Sequence, residues 1–148
     1  MRDNDVKVLV FSIGEEYYAS DIMEVERILP YEETTKLPDS PSFIDGVINH
    51  EGSILPIMSL AKKFNIPYSG KIEEKKIIVA KYKDKKIGII VDLVSEVKDI
   101  KAEEVETPPD VVANISKRYI KGLIKLDGKI IILLNLGAIL TEEERILI

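Results

Sequence analysis

The chain of 148 residues contains no cysteine and no tryptophan, and its only histidine is His50. The absence of cysteine excludes disulfides, thiolate zinc sites and cysteine nucleophiles, and it suits a reducing compartment. No HExxH pattern or EF-hand spacing occurs. Gly46, Gly52 and Gly70 stand alone rather than in a glycine-rich phosphate loop. The sequence therefore predicts no catalytic constellation, no metal site and no cofactor.

The sequence also lacks long apolar runs and an excess of positive charge. The longest apolar run, residues 130–140, is too short to span a bilayer and contains Asn135. Residues 1–5 are mostly polar and give no sign of a signal peptide. The net charge of −5 argues against a nucleic-acid surface, because phosphate contacts need clustered lysine and arginine. We expect a cytoplasmic protein that neither inserts into a membrane nor binds nucleic acid.

What the sequence does contain is a repeated unit. The segment Gly46–Gly52 resembles Gly122–Gly128, and residues 24–28 resemble residues 96–100. After the first pair, each copy continues into an apolar strand and a short helical turn. Self-similarity of this kind indicates that one supersecondary unit occurs twice.

The pattern within each copy favours short strands. Turn signals recur every ~8–12 residues between runs of branched apolar residues, which favours small all-β barrels with five strands each. No helix of ordinary length is evident, so a parallel sheet is not expected. Residues 65–75 carry proline and glycine and are interpreted as the boundary between the copies. We expect one domain over 1–148, with a first barrel at 14–70 and a second at 71–140 completed by the N-terminal strand 6–13.

The first copy contains a hairpin whose turn is Glu51-Gly52. Its strands are Gly46–Asn49 and Ile54–Met58. Glycine takes positive φ without strain and glutamate resists it, so a turn with one left-handed residue is expected. Pro56 cannot donate a hydrogen bond to a sheet, which predicts an edge strand or a bulge at that point.

The repeated segment at residues 24–28 is preceded by an expected helix cap. Asp21, with Glu24 three residues on, matches a capping box. Val25 and Val97 then occupy equivalent positions in the two copies. In a pseudo-symmetric pair they can face one another across a groove between the units. The alternative is that both are ordinary core residues, as branched apolar residues usually are.

Three stretches, 43–60, 88–97 and 119–123, together resemble the signature of the CheW family of chemotaxis coupling proteins. The resemblance runs from about Val8 to Leu140. It implies two intertwined five-stranded SH3-like barrels with short helical turns. It also implies a non-enzymatic adaptor that joins chemoreceptors to the histidine kinase CheA. The regulatory domain of CheA has the same fold, but no kinase segment is visible, which favours the separate adaptor.

The resemblance also implies where the partners bind. The cytoplasmic tip of a receptor is expected in the groove between the barrels, at Val25, Gly46, Glu51, Val94 and Val97. The regulatory domain of the kinase is expected at the barrel ends, at Arg27, Asp45, Glu106 and Val111.

The chain departs from the family pattern at Glu51. Relatives usually carry Asn-Leu-Arg-Gly where this chain has Asn49-His50-Glu51-Gly52. A partner carboxylate that pairs with arginine would be repelled by glutamate. Either the partners have changed in step, or the protein serves a divergent array. Glu106 is a second such position, since some relatives carry a basic residue there.

Two other functions stay open from the sequence. One is a coupling protein of a signalling system that does not control motility, which would use the same surfaces. The other is a small hydrolase or ligand-binding barrel in which His50 acts with Ser53 and Asp45. Such triads are recognised by their geometry in a pocket, and nothing in the sequence predicts that geometry. The simpler reading of His50 is a partly exposed strand residue beside a turn.

Overall fold

The computed structural model describes residues 5–66, 74–109 and 118–139. The strands in these ranges are β1 (Val6–Ile13), β2 (Glu16–Asp21), β3 (Val25–Pro30), β4 (Ile44–His50), β5 (Ser53–Ser59), β6 (Lys76–Tyr82), β7 (Lys85–Val91), β8 (Leu93–Ile100), β9 (Val105–Glu106), β10 (Ile120–Leu126) and β11 (Lys129–Leu134). The helical elements are short, namely α1 (Leu60–Lys63), the 3-10 turns Ile22–Glu24 and Ala102–Glu104, and a helical turn at 136–139.

The strands form two sheets. The six-stranded sheet has the order β8-β1-β2-β11-β10-β9, and the five-stranded sheet has the order β3-β6-β7-β5-β4. Neighbouring strands are antiparallel except for β2 with β11 and β5 with β7, so each sheet contains one parallel pair. The prediction of an all-β fold of two SH3-like barrels is confirmed, with the two-residue β9 as a sixth strand in one sheet.

The two copies of the repeat exchange hairpins. The first copy supplies β1–β5 and the second supplies β6–β11, yet β1 and β2 pair within the sheet of the second copy. In return, β6 and β7 lie in the sheet that holds β3, β4 and β5. Strand 6–13 lies with the strands of the second copy, as expected. The expected boundary at 65–75, with barrels at 14–70 and 71–140, does not follow this division, because β2, β6 and β7 lie in the opposite sheets. The sheets change instead after Asp21 and after Val91, because each tight hairpin keeps its two strands together.

The strands β1, β6 and β7 are buried on both faces over most of their length, which explains their nearly continuous apolar runs. Along β1, Val8 and Val10 point into the core of the six-stranded barrel. The alternate residues Leu9, Phe11 and Ile13 point into a larger cluster that draws on both sheets and is called the shared core below. Because side chains alternate along a strand, one apolar run serves two cores. The five-stranded barrel has a separate core of its own.

The glycines of the repeat occupy equivalent places, as predicted. Gly46 lies in β4 against residues 34–35, and Gly122 lies in β10 against β9. A Cβ atom would lie 2.6 Å from Thr34 Oγ1 at the first position and 2.9 Å from the Glu106 carbonyl oxygen at the second. Glycine at these positions lets a neighbouring backbone approach the strand closely.

The hairpin turn differs from its prediction. Glu51 has a φ of 52° and Gly52 a φ of 81°, so both turn residues are left-handed and the expectation of one is wrong. The equivalent turn has the same form, with 51° at Asp127 and 77° at Gly128. Two-residue hairpin turns match the right-handed twist of the strands when both residues have positive φ. Strand pairing therefore outweighs the preference of Glu51.

The expectation of an edge or a bulge at Pro56 is also wrong. β5 lies inside its sheet, between β7 and β4, and the register shift between β4 and β5 falls between Ile44 and Gly46. The residue opposite Pro56 is Val47, whose backbone N–H and C=O both bond to Thr35 instead. The parallel pairing with β7 begins only at the next residue. Neither neighbour therefore requires an N–H from Pro56.

Candidate functional site

The valines expected to face a receptor lie along two sheet edges. Val25 in β3 and Val94 in β8 are half-buried and pack against the shared core. Val97 in β8 is 49% exposed, so the alternative that it is core is wrong. β3 and β8 are both edge strands. Gly46 is different because it is buried, and the close approach it permits is made by residues 34–35 of the chain itself.

The structure pairs Arg27 with Glu51, which the sequence assigned to different partners. Arg27 Nη2 lies 3.3 Å from Glu51 Oε1, and both side chains are more than half exposed. His50 Nε2 lies 3.7 Å from the same oxygen, while its side chain is mostly buried. The Glu51 carboxylate is thus balanced by a cation of the same chain. Sequence reasoning missed the pair because β3 and β4 lie at opposite edges of the sheet, and only barrel closure brings them together.

The network continues to Glu26 and Lys86. Lys86 Nζ lies 2.9 Å from Glu26 Oε1. The hydrogen bond from Lys86 holds the pKa of Glu26 below its ordinary value, with smaller contributions from Lys81 and His50. We call Glu26, Arg27, His50, Glu51 and Lys86 the charged network. With two carboxylates and two permanent cations, it carries fixed charges of both signs at one end of the five-stranded barrel.

A triad around His50 is not assembled. The carboxylate that His50 Nε2 approaches, at 3.7 Å, belongs to Glu51, its neighbour in sequence. Asp45 instead accepts a hydrogen bond from Thr34 Oγ1 at 2.9 Å and lies 3.4 Å from Lys36 Nζ. Among the described residues no group of three or more metal-binding side chains occurs either. The geometry gives no support to a hydrolase that uses His50, Ser53 and Asp45.

The residues expected to face the kinase are divided between the two sheets. Glu106 lies in β9 of the six-stranded sheet and pairs with Lys125 at 3.8 Å. Arg27 and Asp45 belong to the five-stranded sheet. Val111 lies outside the described residues.

Glu24 joins two distant parts of the chain, a role that the sequence did not predict. Asp21 caps the 3-10 turn by accepting from the Met23 N–H at 2.9 Å. Glu24 does not complete a capping box; its Oε2 accepts from the Gly137 N–H at 2.9 Å, and its Oε1 lies 3.7 Å from Lys121 Nζ. Burial raises the pKa of Glu24, and Lys121 and the Gly137 N–H oppose the rise. Met23 beside it is 78% exposed.

Exposed apolar side chains complete the candidate surface. They lie in the 3-10 turn before β3, on the edge strands and near the hairpin tips: Met23, Ile28, Ile54, Leu93, Val97 and Ile130. Two small barrels with apolar edges and a charged end are suited to binding other proteins. In the part of the chain that the structure describes, no helix is both long enough and apolar enough to cross a membrane.

The chain is similar to one family of known proteins in both sequence and structure. The model of the CheW-like domain family matches residues 7–144. The chain is 34% identical to a chemotaxis protein CheW of Klebsiella aerogenes over 95% of its own length and 84% of that protein. It is 35% identical to the CheW of Thermotoga maritima, over 93% and 89%. A crystal structure of the scaffolding protein TtCheW from Thermoanaerobacter tengcongensis matches with a TM-score of 0.83 and 38% identity, over 91% of this chain and 87% of that one.

The chain belongs to the CheW-like domain family. Its function is that of a chemotaxis scaffold in signal transduction.

Proposed function

We propose that this protein is a non-enzymatic cytoplasmic adaptor that couples the cytoplasmic tips of chemoreceptors to the regulatory domain of the kinase CheA. The observation that carries the proposal is the exposure of apolar residues along β8, with Val97 49% and Leu93 47% exposed. A solvated edge strand usually carries few such side chains unless a partner covers them. The proposal adds specific partners to the family function.

The two edge strands support the proposed receptor site. Val25 and Val94 offer half-buried apolar contacts at the border of the shared core. Val97 adds an exposed apolar contact on β8. An amphipathic helix binds such a surface through a few apolar anchors with polar residues around them. Gly46 contributes by letting residues 34–35 pack against β4, and Glu51 contributes charge at the nearby hairpin tip.

The kinase site is proposed at the barrel ends. Arg27 belongs to the charged network, and Asp45 and Glu106 each form a local ion pair. Val111 is retained as a member of this group. Contacts of this kind bury a modest area and are transient unless many copies are arrayed together. A coupling protein of a non-motility system would use the same surfaces, so the identity of the partners decides between the two.

The test is reconstitution of kinase activity with receptor fragments, the kinase and this protein. Val97→Asp is expected to weaken receptor binding by about tenfold, because a charge is placed in an apolar contact. Ser95→Asp is the matched control, since Ser95 is an exposed residue of the same strand. Thermal unfolding followed by circular dichroism should show little change in Tm for either variant. Equal binding by both variants and the wild type would refute the β8 site.

A further inference from the structure

A cleft of about 470 Å³ is lined by residues of both barrels, and none of the described residues assigned to receptor or kinase lines it. Four of its lining residues are aromatic, namely Tyr18, Phe43, Phe64 and Tyr119. Tyr18 lies in β2, Phe43 precedes β4, Phe64 follows α1 and Tyr119 precedes β10. The fold thus gathers aromatic rings from four separate parts of the chain.

The rings pack into a row that forms one wall of the cleft. The ring centroid of Tyr18 lies 6.1 Å from that of Phe11 and 6.5 Å from that of Phe64. Phe64 and Tyr119 have centroids 6.0 Å apart. These separations are typical of attractive aromatic pairs. Tyr18 and Tyr119 are each 6% exposed and belong to the shared core. Because this wall is part of a packed core, the cleft is preformed, as small-molecule sites usually are.

Two tyrosine hydroxyls on this wall can form further hydrogen bonds. Among the described residues, neither the Tyr18 nor the Tyr119 hydroxyl has a hydrogen-bond partner, and neither is one of the fully buried polar atoms that lack a partner. Each hydroxyl therefore keeps accessible surface, and the cleft is an open space that both side chains line. Burial raises the pKa of Tyr18, with a smaller rise from Glu16, so its hydroxyl stays protonated and can donate as well as accept.

The one cation at the cleft is already engaged by the protein. Lys63 is the one charged residue among the described residues that line the cleft. Its Nζ lies 4.3 Å from the ring centroid of Phe43 and 5.5 Å from that of Tyr119, and Lys63 has a further interaction besides these. An ammonium group at this distance from an aromatic face is held by electrostatic attraction. The lining therefore favours a neutral ligand over an anion.

We propose that this cleft binds a small neutral molecule with a flat aromatic body and a hydroxyl group, of the phenol class. The flat body would pack against the row of rings, where aromatic pairs attract one another. Its hydroxyl would form a hydrogen bond with the Tyr18 or the Tyr119 hydroxyl, since a hydroxyl group both donates and accepts. The cleft volume falls within the ~300–1,000 Å³ of ordinary small-molecule sites. This proposal goes beyond the adaptor function, and a ligand here would contact both barrels at once.

The test uses 2-naphthol as the probe and 2-naphthoate as its charged counterpart, with binding followed by calorimetric titration and amide NMR. The double variant Tyr18→Phe with Tyr119→Phe keeps both rings and removes both hydroxyls. It should bind naphthol about tenfold more weakly, the effect of losing one hydrogen bond. Tyr17→Phe should leave naphthol binding unchanged, because Tyr17 precedes Tyr18 on β2 but does not line the cleft. Naphthoate should bind the wild type more weakly than naphthol does.

Four results would overturn the proposal. The first is equal naphthol affinity in the wild type and the double variant; if the double variant does not fold, the two single variants make the same comparison. The second is naphthoate binding as tight as naphthol binding. The third is a set of NMR shifts that misses Tyr18, Phe64 and Tyr119. The fourth is no binding of naphthol at millimolar concentration. The titration contains neither receptor nor kinase, so its outcome is independent of the adaptor proposal.

Discussion

The two copies of the repeated unit share backbone devices but differ in what equivalent side chains do. Both hairpins turn on two left-handed residues, and both have a glycine against a neighbouring segment. Asp21 precedes the first of the repeated segments 24–28 and 96–100 and caps a short turn, whereas Asp92, which precedes the second, accepts hydrogen bonds from Lys75 Nζ and the Gly14 N–H. The shared devices define the barrel. The side chains that differ make the contacts between separate segments and determine the surface.

The largest expected effect is a difference in unfolding free energy between substitutions of Asp92 and Asp21. Asp92 Oδ1 lies 3.3 Å from Lys75 Nζ, and the Lys75 side chain is only 2% exposed. Asp92→Ala removes this carboxylate from a buried cation and should cost about 3–5 kcal/mol of unfolding free energy. Asp21→Ala removes one cap and should cost about 0.5–2 kcal/mol. Urea denaturation of the two variants measures the difference, and equal costs would show that the copies are energetically alike here.

The second effect compares the two glycines. Gly46 has a φ of 150°, and an added methyl would also meet Thr34 and Thr35. Gly46→Ala should therefore cost roughly 2–4 kcal/mol through backbone strain and crowding together. At Gly122 the methyl would meet Val105 and Glu106 without the unusual φ, so Gly122→Ala should cost about 1–3 kcal/mol. The midpoints of urea denaturation measure the two costs. A larger loss of stability for Gly122→Ala than for Gly46→Ala would contradict the strain argument.

The repeat and the turn signals were enough to predict an all-β fold and the equivalence of Gly46 and Gly122. They could not predict the exchange of hairpins, because the parallel pairing of β2 with β11 joins strands at opposite ends of the chain. Local pattern specifies a hairpin, since its strands are adjacent in sequence. It does not specify which sheet the hairpin joins.

The same limit applies to the site. The apolar pattern indicated Val25 and Val97, yet it could not tell a half-buried side chain from an exposed one. The Arg27–Glu51 and Glu24–Gly137 contacts depend on barrel closure and on the docking of the last helical turn. At Glu51 the residue preference argued against the observed φ, and the pairing of the flanking strands prevailed.

The third prediction concerns pH and two glutamates of one repeated segment. The pKa of Glu24 is raised by burial, so the folded state binds its proton more tightly than the unfolded state. Stability from this group is present below the ordinary value of 4.5 and is lost as the pH rises through the raised pKa. The pKa of Glu26 is lowered, so its contribution is present above 4.5 and is lost as the pH falls.

Glu24→Gln and Glu26→Gln should therefore change the pH dependence of stability in opposite directions. Relative to the wild type, Glu24→Gln should become more favourable as the pH rises from 4.5 through the raised pKa of Glu24. Glu26→Gln should become less favourable as the pH rises from the lowered pKa of Glu26 to 4.5. Urea midpoints between acidic and neutral pH supply the curves. Parallel curves for both variants and the wild type would mean that neither carboxyl is perturbed by the fold.

The smallest effect is expected at the hairpin tips. Glu51→Arg places two guanidinium groups together, because Glu51 Oε1 lies 3.3 Å from Arg27 Nη2. Both side chains are exposed, so the variant should lose no more than about 1 kcal/mol. The reversed pair, Arg27→Glu with Glu51→Arg, should regain most of that loss. Asp127→Arg, at the tip without an ion pair among the described residues, should have a smaller effect.

Binding should show a different pattern from stability. If partners read the separate charges, the reversed pair should still weaken receptor or kinase binding after its stability has recovered, because charges at the edge of an interface act through steering and rejection. Added salt should shrink the change through screening. If the reversed pair binds as the wild type does while Glu51→Arg alone does not, the pair acts only by holding the tip in place. Glu51 would then be a structural replacement, and the partners would not need to have changed with it.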